Sequence, residues 1–393
     1  KEELKDGVVK PKRVRTSSSH SSSLSSSNQT ISNAIQDWLD TEMGRVDAGL
    51  IELVTYQNTS NTLKKHVQPY LESEGVFYTE QITQQTFDNY LIYRSNTTPI
   101  VRQHEVKRIR TWLTRLAKKH LINPQWLLLS DFLPKQRITE VDRMANPAIN
   151  NEDWKVIRNF VSGVWRNQVR TNVNQRFWYW RNCFYRFILF SKSTGMSPEE
   201  VIKLKWKQIE LINEGRIDSK GERQDWEVVY VSTTRAKTKA SREIPCNQAR
   251  ELRRWKEFIV EQCERFALPL PTANDYVFGN PFPRSGSSTG WRTYPYKQFN
   301  TSWREVRDAL KGRLRGHRHS DHPYSLYSLR SSFIEDCLNR GVDVVSVARM
   351  AGNSIVEIQR SYERLDLRKK GFELSAPAFG LKKTKQLETK PLF

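Results

Sequence analysis

Residues 324–366 read YSLYSLRSSFIEDCLNRGVDVVSVARMAGNSIVEIQRSYERLD, a stretch that predicts three helices separated by two turns. The first helix contains Arg330 in its opening turn. Its apolar face is formed by Phe333, Ile334, Cys337 and Leu338, which recur at helical spacing. We predict that this helix ends at Gly341, because glycine adopts the left-handed backbone of a helix C-terminus at little cost.

Two further helices follow in the same stretch. Asp343 is a helix N-cap residue, and we expect it to begin the second helix. Gly352 predicts the end of that helix, and Ser354 predicts the cap of the third. The third helix carries an isolated tyrosine, Tyr362.

The charge of the chain indicates a polyanionic partner. The 393 residues include 64 Lys and Arg against 43 Asp and Glu, a net charge of +21. Such an excess is unusual for an enzyme of small molecules and favours DNA or RNA binding. At this length we expect two or three domains.

Cysteine and histidine usage predicts neither a disulfide framework nor a metal site. Cys183, Cys246, Cys263 and Cys337 are scattered and form no C-x-x-C pair. The one local group of histidines, at 317, 319 and 322, has no matching set of further ligands. The sequence shows no apolar run of about 20 residues and no signal peptide, so we expect an intracellular protein without cofactor or metal.

The composition along the chain predicts five segments. Residues 1–30 are basic and then serine-rich, as in a flexible linker, and residues 31–133 have helical periodicity. Residues 134–148 form an interdomain linker, residues 149–375 a second domain, and residues 376–393 a tail.

The first domain is predicted to present a basic helix face. Its helices are expected at 31–39, 55–70, 87–93 and 101–121. The fourth helix carries basic residues of one sign at Arg102, Lys107, Arg108, Arg110, Arg115, Lys118 and Lys119. A neutral solvated face would intersperse acids, so we expect this face to contact phosphate. In the linker, Lys135 and Arg137 are further candidates for DNA-backbone contacts.

The second domain is predicted to combine helices with a small β-hairpin. Helices are expected at 152–165, 174–193, 247–266 and 299–310, and the aromatic residues of the second favour a buried core over base stacking. Ser197 is predicted to cap a short helix that starts at Pro198. Residues 227–232 and 242–245 are predicted strands around a basic turn that contains Arg235, Lys237 and Lys239.

These residues resemble the tyrosine recombinase (phage integrase) family. Its H-x-L-R helix start, G-V-D and L-G-H helix pair and final tyrosine match Tyr327–Arg330, Gly341–Asp343, Gly352–Asn353 and Tyr362. The resemblance implies an α+β fold. An N-terminal helical, SAM-like core-binding domain is followed by a mainly α catalytic domain with a small antiparallel β-sheet, and together they form a C-shaped DNA clamp.

The resemblance also implies a phosphoryl-transfer site. Tyr362 matches the nucleophile, which attacks the scissile phosphate, and Arg330 matches an arginine of the phosphate clamp. Lys237 matches the hairpin lysine that protonates the leaving 5′-oxygen, in the motif KTKASREIP at residues 237–245. Arg235, Lys239 and Arg242 of the same hairpin are expected to contact DNA.

Three positions depart from the family pattern. Ser197 stands where the family has its first arginine, Tyr327 where it has the first histidine, and Asn353 where it has the second. The cations considered as replacements for the missing arginine are Arg181, Arg235 and His322. Tyrosine and asparagine can still form hydrogen bonds to a phosphate.

The leading interpretation is a DNA-cutting and DNA-joining recombinase, an integrase of a phage or mobile element. It would act as a homotetramer on duplex DNA, with accessory DNA-bending or directionality proteins, in the nucleoid region of a prokaryotic cytoplasm. In the resemblance, the tail packs on a neighbouring subunit. The alternatives are a catalytically impaired DNA-binding or architectural relative, which the serine at 197 favours, and a type IB topoisomerase, which shares the chemistry.

Overall fold

The computed structural model describes residues 29–129, 131–171, 175–217, 220–234, 240–283, 290–316 and 321–362. The chain divides into two compact units between Asp142 and Arg143. This division falls within the linker predicted at 134–148, whereas the domain bounds themselves stay predictions. The segment 1–28 and the predicted tail 376–393 lie outside the described residues.

The first unit is helical. Its helices are α1 (Ile31–Asp47), α2 (Leu53–Thr62), α3 (Gln68–Ser73), α4 (Tyr90–Tyr93) and α5 (Pro99–Lys118), and α6 (Glu140–Arg143) includes the division between the units. The predicted apolar stripe of α1 is confirmed, since Ile31, Ile35, Trp38 and Leu39 are all buried. They pack in one core with residues of α5 such as Ile109 and Leu113.

Two predicted helices of this unit differ from the structure. The helix expected at 55–70 is interrupted by a π-helical turn, Leu63–Val67, which joins α2 to α3. The helix expected at 87–93 is a single turn, α4. Tyr70 holds the preceding turn, because its hydroxyl donates to the Thr86 carbonyl at 2.8 Å and its ring lies 6.1 Å from that of Phe87. Tertiary packing thus overrides helical periodicity here.

The second unit is mainly helical with a small antiparallel sheet, as predicted. Its helices are α7 (Asn151–Asn159), α8 (Gln175–Thr194), α9 (Pro198–Ile202), α10 (Ala249–Arg265), α11 (Tyr296–Ala309), α12 (Ser328–Asn339), α13 (Val344–Ala351) and α14 (Ile355–Tyr362). Its strands are β1 (Ile209–Asn213), β2 (Arg216–Ile217), β3 (Arg223–Gln224), β4 (Glu227–Thr234), β5 (Ser241–Cys246), β6 (Gly279–Asn280) and β7 (Arg292–Thr293). Among the described residues, no helix has the length and apolarity needed to cross a bilayer.

The main sheet has the strand order β1–β4–β5. In the predicted hairpin, Val231 pairs with Ile244 and Thr233 pairs with Arg242. Val231 and Ile244 are fully buried, so one face of the hairpin packs on the core of the unit. Strand β1 was not predicted. Most of its side chains are exposed, so it lacks the alternation of buried and exposed residues that marks a half-buried strand.

The aromatic residues of α8 form the centre of that core, as predicted. Those that are buried are Tyr179, Trp180, Phe184, Phe187 and Phe190. The ring of Phe187 lies 4.1 Å from that of Phe299, centroid to centroid, which joins α8 to α11. Aromatic contacts of this kind are each worth about 1 kcal/mol beyond area burial, and they stabilise the packing of α8.

The C-terminal helices form a smaller apolar cluster, and their predicted boundaries are confirmed. Asp343 caps α13 by accepting from the Ser346 amide at 2.8 Å, and Ser354 accepts from the Glu357 amide at 3.2 Å. Gly352 ends α13 in the left-handed conformation, with φ of 66°. The cluster itself consists of Phe333, Ile334, Cys337, Leu338, Val347, Ala348, Ala351 and Ile358.

A buried carboxylate fixes the start of α7 in the second unit. Asp153 is 1% exposed and accepts from the amides of Arg315 at 2.9 Å and Gly316 at 3.0 Å. It also accepts from the Tyr324 hydroxyl at 2.8 Å. Burial, followed by this hydrogen bond, raises the pKa of Tyr324, so the hydroxyl remains a donor.

We therefore expect Asp153→Ala to lower the free energy of unfolding by about 3 kcal/mol, because four donors, including the buried Tyr324 hydroxyl, would lose their acceptor. Thermal unfolding would show a melting temperature lower by roughly 6–12 °C. Glu152→Ala is the matched control, since the ion pair of Glu152 with Arg315 is exposed and worth less than about 1 kcal/mol. Equal effects of the two substitutions would contradict the prediction.

Candidate active site

The polar centre of the second unit is built around Arg330, in the first turn of α12. The residue is only 3% exposed. Its Nη1 donates to the Gly195 carbonyl at 2.6 Å, and its Nη2 donates to the Ala351 carbonyl and to Asn353 Oδ1 at 2.7 Å. These three acceptors are uncharged oxygens, and they orient the guanidinium plane.

Arg242, at the start of β5, lies beside Arg330. Its Nη1 also donates to the Ala351 carbonyl, and its Nη2 donates to Glu200 Oε2 at 2.9 Å. Two donors that share one oxygen lie no more than about 6 Å apart. Only 6% of the Arg242 side chain is exposed, so this predicted DNA contact is part of the interior of the site.

Ser197 lies on the other side of Glu200. Its backbone amide and its hydroxyl both donate to Glu200 Oε2, at 2.8 and 2.9 Å, and the Glu200 amide donates back to Ser197 Oγ at 3.4 Å. This capping box confirms the predicted N-cap of α9. We call Arg330, Arg242, Glu200, Ser197 and Asn353 the arginine cluster.

Tyr327 and Asn353, which match the two histidines of the family pattern, both contact Arg330. Tyr327 immediately precedes α12 and is 40% exposed, and the Arg330 guanidinium carbon lies 5.8 Å from the centre of its ring. Asn353 orients its amide oxygen towards Arg330, whose Nη2 donates to it. The structure therefore brings Ser197, Tyr327, Arg330 and Asn353 into one region.

The remaining predicted catalytic residues are only partly described. Tyr362 is the last residue of α14, and its side chain is outside the described part of the structure. Lys237 lies outside the described residues, as do Arg235 and Lys239. The strands β4 and β5 lead directly into this segment from both sides.

Gly195, which supplies an acceptor for Arg330, lies in a position that only glycine fits. Its φ is +62°, in the left-handed region, and a Cβ atom there would lie 2.2 Å from Phe333 Cδ1. Phe333 is itself 5% exposed and packed in the apolar cluster of α12–α14. Any side chain at 195 would therefore displace either the ring or the carbonyl that holds Arg330.

We expect Gly195→Ala to lower the free energy of unfolding by about 3 kcal/mol, from left-handed backbone strain plus overpacking against Phe333. Gly341→Ala is the matched control. Gly341 has φ of +79° with no atom within 4 Å of the added methyl group, so only the strain of about 1 kcal/mol applies. Chemical denaturation of both variants measures the difference, and equal losses would contradict the close contact.

The predicted DNA-binding residues of the first unit lie on a basic surface. Along α5 the exposed basic side chains include Lys107, Arg110 and Lys118, while Arg108 and Arg115 are half-buried. The single acidic residue of α5, Glu105, is 2% exposed and accepts two hydrogen bonds from Arg94 at 2.8 and 3.0 Å. The outer face of α5 therefore presents only positive formal charge.

Other predicted cations have different surroundings. Lys135 and Arg137 are exposed. Arg181 packs 4.2 Å from the centre of the Trp165 ring and donates to Gln168 at 2.9 Å, rather than joining Arg330. Burial lowers the pKa of Arg181. His322 is half-buried.

Sequence reasoning missed two features of the site. The carboxylate of Glu200 was not predicted to link Ser197 to Arg242. The shared carbonyl of Ala351 was not predicted. The S-x-x-E spacing of a capping box was the available signal for the first, while no local signal marks the second.

No group of three or more histidine, cysteine, aspartate or glutamate residues that could hold a metal occurs in the described part of the chain. The four cysteines are buried and unpaired. Burial raises the pKa of Cys246 to about 12 and that of Cys263 to about 11, so these thiols remain protonated at neutral pH.

Comparison with known proteins identifies the fold. No protein-family model and no curated protein matches the sequence. XerH site-specific recombinase bound to palindromic difH substrate superposes with a TM-score of 0.58 at 12% identity, covering 82% of this chain and 80% of that chain. A lambda integrase tetramer bound to a Holliday junction gives 0.56 at 12% identity, with coverages of 93% and 82%.

The Tn1549 transposon integrase in complex with transposon right end DNA gives a TM-score of 0.53 at 9% identity. That similarity covers 88% of this chain and 98% of that chain. At such identities the similarity concerns the fold, which agrees with the helical first unit and the small sheet of the second. The chain therefore has the fold of the tyrosine recombinases.

Proposed function

We propose that this chain is a member of the tyrosine recombinase family and an integrase-type site-specific recombinase. It would cut and rejoin duplex DNA through a 3′-phosphotyrosine intermediate. The observation that carries the proposal is the buried guanidinium of Arg330, oriented by Gly195, Ala351 and Asn353 inside a tyrosine recombinase fold. A guanidinium held in this way is suited to a phosphate and to the charge that develops on it in the transition state.

In the proposed reaction, the Tyr362 oxygen attacks the scissile phosphorus and the bond from phosphorus to the 5′-oxygen breaks. Lys237 donates the proton that the leaving 5′-oxygen takes up. The Tyr362 hydroxyl loses its proton to solvent, from which Lys237 is reprotonated, so the proton count is unchanged. Arg330 stabilises the pentavalent transition state, and Asn353 and Tyr327 add hydrogen bonds. The phosphotyrosine keeps the energy of the broken bond, so a 5′-hydroxyl of another strand can reverse the step.

The first unit is proposed to contact DNA as well as the second unit. Within it, residues 31–133 would be the core-binding domain. Its support is the one-signed outer face of α5, together with the exposed Lys135 and Arg137. Arg235 and Lys239 of the hairpin would add contacts from residues 149–375, the proposed catalytic domain. The C-shaped clamp predicted from the family stays a prediction.

The proposed assembly is a homotetramer on paired DNA sites, with residues 376–393 packing on a neighbouring subunit. The lambda integrase tetramer bound to a Holliday junction supports this proposal through its similar fold. A phage or mobile element in a prokaryotic cytoplasm is the proposed setting, for which the Tn1549 transposon integrase is the corresponding similar structure. Accessory DNA-bending or directionality proteins would complete the system.

A second candidate function is a DNA-binding relative that lacks chemistry. Ser197 favours it, because a serine supplies neither the charge nor the forked geometry of an arginine. Loss of one charge-assisted contact to the transition state costs about 3 kcal/mol, or about a hundredfold in rate. A type IB topoisomerase, the third reading, would relax supercoiled DNA without exchanging strands.

The test of the proposed function is covalent trapping on nicked DNA. Duplexes that bind the chain are first enriched from a random-sequence library. A nick is then placed near the cleavage position, so that cleavage releases a short fragment with a free 5′-hydroxyl, which diffuses away. We expect a denaturation-resistant protein–DNA band. Salt-dependent DNA binding without such a band would overturn the recombinase and support the DNA-binding relative.

A further inference from the structure

We propose that Arg242 supplies the second guanidinium of the scissile-phosphate site and so replaces the arginine that Ser197 lacks. This inference rests on the proposed function for its chemistry. The contact between Arg242 and one DNA phosphate is a binding interaction, and it does not require that the chain cut DNA. The supporting geometry is the arginine cluster.

The position of Arg242 next to Arg330 is defined by two acceptors. The Ala351 carbonyl receives one donor from each arginine, and Glu200 receives the other described donor of Arg242. Both acceptors lie on the second unit, on α13 and α9. Arg242 is therefore held at the same depth as Arg330 rather than extending into solvent like Lys107 or Lys118.

The charges of the cluster fit a phosphodiester. Arg330 and Arg242 contribute two positive charges, Glu200 contributes one negative charge, and Ser197 and Asn353 are neutral. Two guanidinium groups within about 6 Å of each other create a positive potential that attracts an anion to a position beside both. A single DNA phosphate, with one negative charge and two non-bridging oxygens, is complementary to this arrangement.

Glu200 explains how a serine at 197 is compatible with this role. Its Oε2 atom accepts from Ser197 and from Arg242, so the carboxylate fixes Arg242 beside the position at which the family carries its first arginine. An arginine at 197 would compete with Arg242 for this carboxylate. The same phosphate-binding function would thus be supplied from β5 instead of from the start of α9.

Arg242 is also in a suitable place relative to the hairpin and to solvent. It lies opposite Thr233 in the sheet, five residues after Lys237 in the chain. It borders a cavity of about 450 Å³ that is otherwise lined by Ser232, Thr233, Thr234, Ser241, Glu243 and Arg349. A phosphate group in this cavity would lie beside Arg242.

Methylphosphonate interference tests the contact directly, whether or not the chain cuts DNA. The enriched duplex is prepared with a single neutral methylphosphonate at each core phosphate in turn, and binding is compared for Tyr362→Phe and Tyr362→Phe/Arg242→Gln. We expect one phosphate whose neutralisation weakens binding of the first chain by about tenfold and has little effect on the second. Identical interference patterns would overturn the inference.

Cleavage provides a second readout that a merely structural role would not alter. Arg242→Gln is expected to slow covalent-complex formation by about a hundredfold, and Ser197→Arg in the same chain is expected to restore at least a tenth of the lost rate. Ser197→Arg alone should not accelerate the reaction, because both arginines would compete for Glu200. No restoration in the double variant would count against replacement of one arginine by the other.

Controls separate this inference from folding and from the proposed function. Arg253→Gln removes an exposed arginine of the same unit, paired with Glu227, and should leave both readouts unchanged. Arg242→Met replaces the glutamine variant if thermal unfolding shows that the latter is not folded, with the same interference loss expected because the charge is again removed. If the wild type cleaves DNA and the Arg242 variants have the same cleavage rate and interference pattern, the inference is overturned and the proposed function is not. If the wild type forms no covalent band, but neutralising one phosphate weakens its binding only when Arg242 is present, the proposed function is overturned and the inference is not.

Discussion

Tyr362→Phe is expected to abolish the covalent protein–DNA complex and to change DNA affinity by less than about threefold. The substitution removes only the hydroxyl that would attack phosphorus, and it keeps the ring. Ile358, one helical turn earlier, is fully buried in the apolar cluster of α12–α14, so α14 should keep its place. The loss of the band would therefore report chemistry rather than folding.

The measurement is covalent trapping on the nicked duplex, together with filter binding of the same duplex at several salt concentrations. Tyr296→Phe is the matched control, because it removes the same hydroxyl from an exposed tyrosine on α11. It should retain the full band. A Tyr362→Phe chain that still forms the covalent complex would assign the nucleophile to another residue and contradict the proposed mechanism.

Local signals predicted the helical frame of the site well. Asp343, Ser354 and Gly352 act as predicted, because a cap residue satisfies backbone donors or acceptors of its own helix terminus and needs no distant partner. The buried aromatic face of α8 was also predictable from helical spacing. These features depend on residues within one or two turns of each other.

The contacts that assemble the site could not be predicted in the same way. Arg242 and Ala351 are 109 residues apart in the chain, and Arg330 and Gly195 are 135 apart. Such contacts depend on how β5, α12 and α13 pack, which no local pattern encodes. For the same reason Arg242 was predicted only as a DNA contact of the hairpin, and its place beside Arg330 was not foreseen.

Ser197 shows why one residue that differs from the family motif does not decide the function. Read as a motif, the serine removes one of two clamp arginines and suggests an impaired site. Read in the structure, it caps α9 and shares Glu200 with Arg242. The positive charge of the site thus depends on the whole arginine cluster. The proposed activity depends on Arg242 as much as on the residue at position 197.

Arg330→Ala is expected to lower the rate of covalent-complex formation by about a thousandfold and the free energy of unfolding by about 3 kcal/mol. The rate falls because a developing charge on phosphorus loses its buried donor. The stability falls because Gly195 and Ala351 lose a donor to their carbonyl groups inside the protein. Arg330→Lys should recover some stability but little rate, since an ammonium group cannot hold three acceptors and a phosphate in one plane.

Single-turnover cleavage, measured well below the melting temperature of each variant, separates these two effects. Arg340→Ala is the matched control, at the opposite end of the same helix. Arg340 is exposed and donates to the Asp336 carbonyl and to Cys337 Sγ, so both the rate and the stability should change little. If Arg330→Ala remained folded and cleaved DNA within tenfold of wild type, the buried guanidinium would be a structural element only. The phosphate site would then have to be sought elsewhere on the second unit.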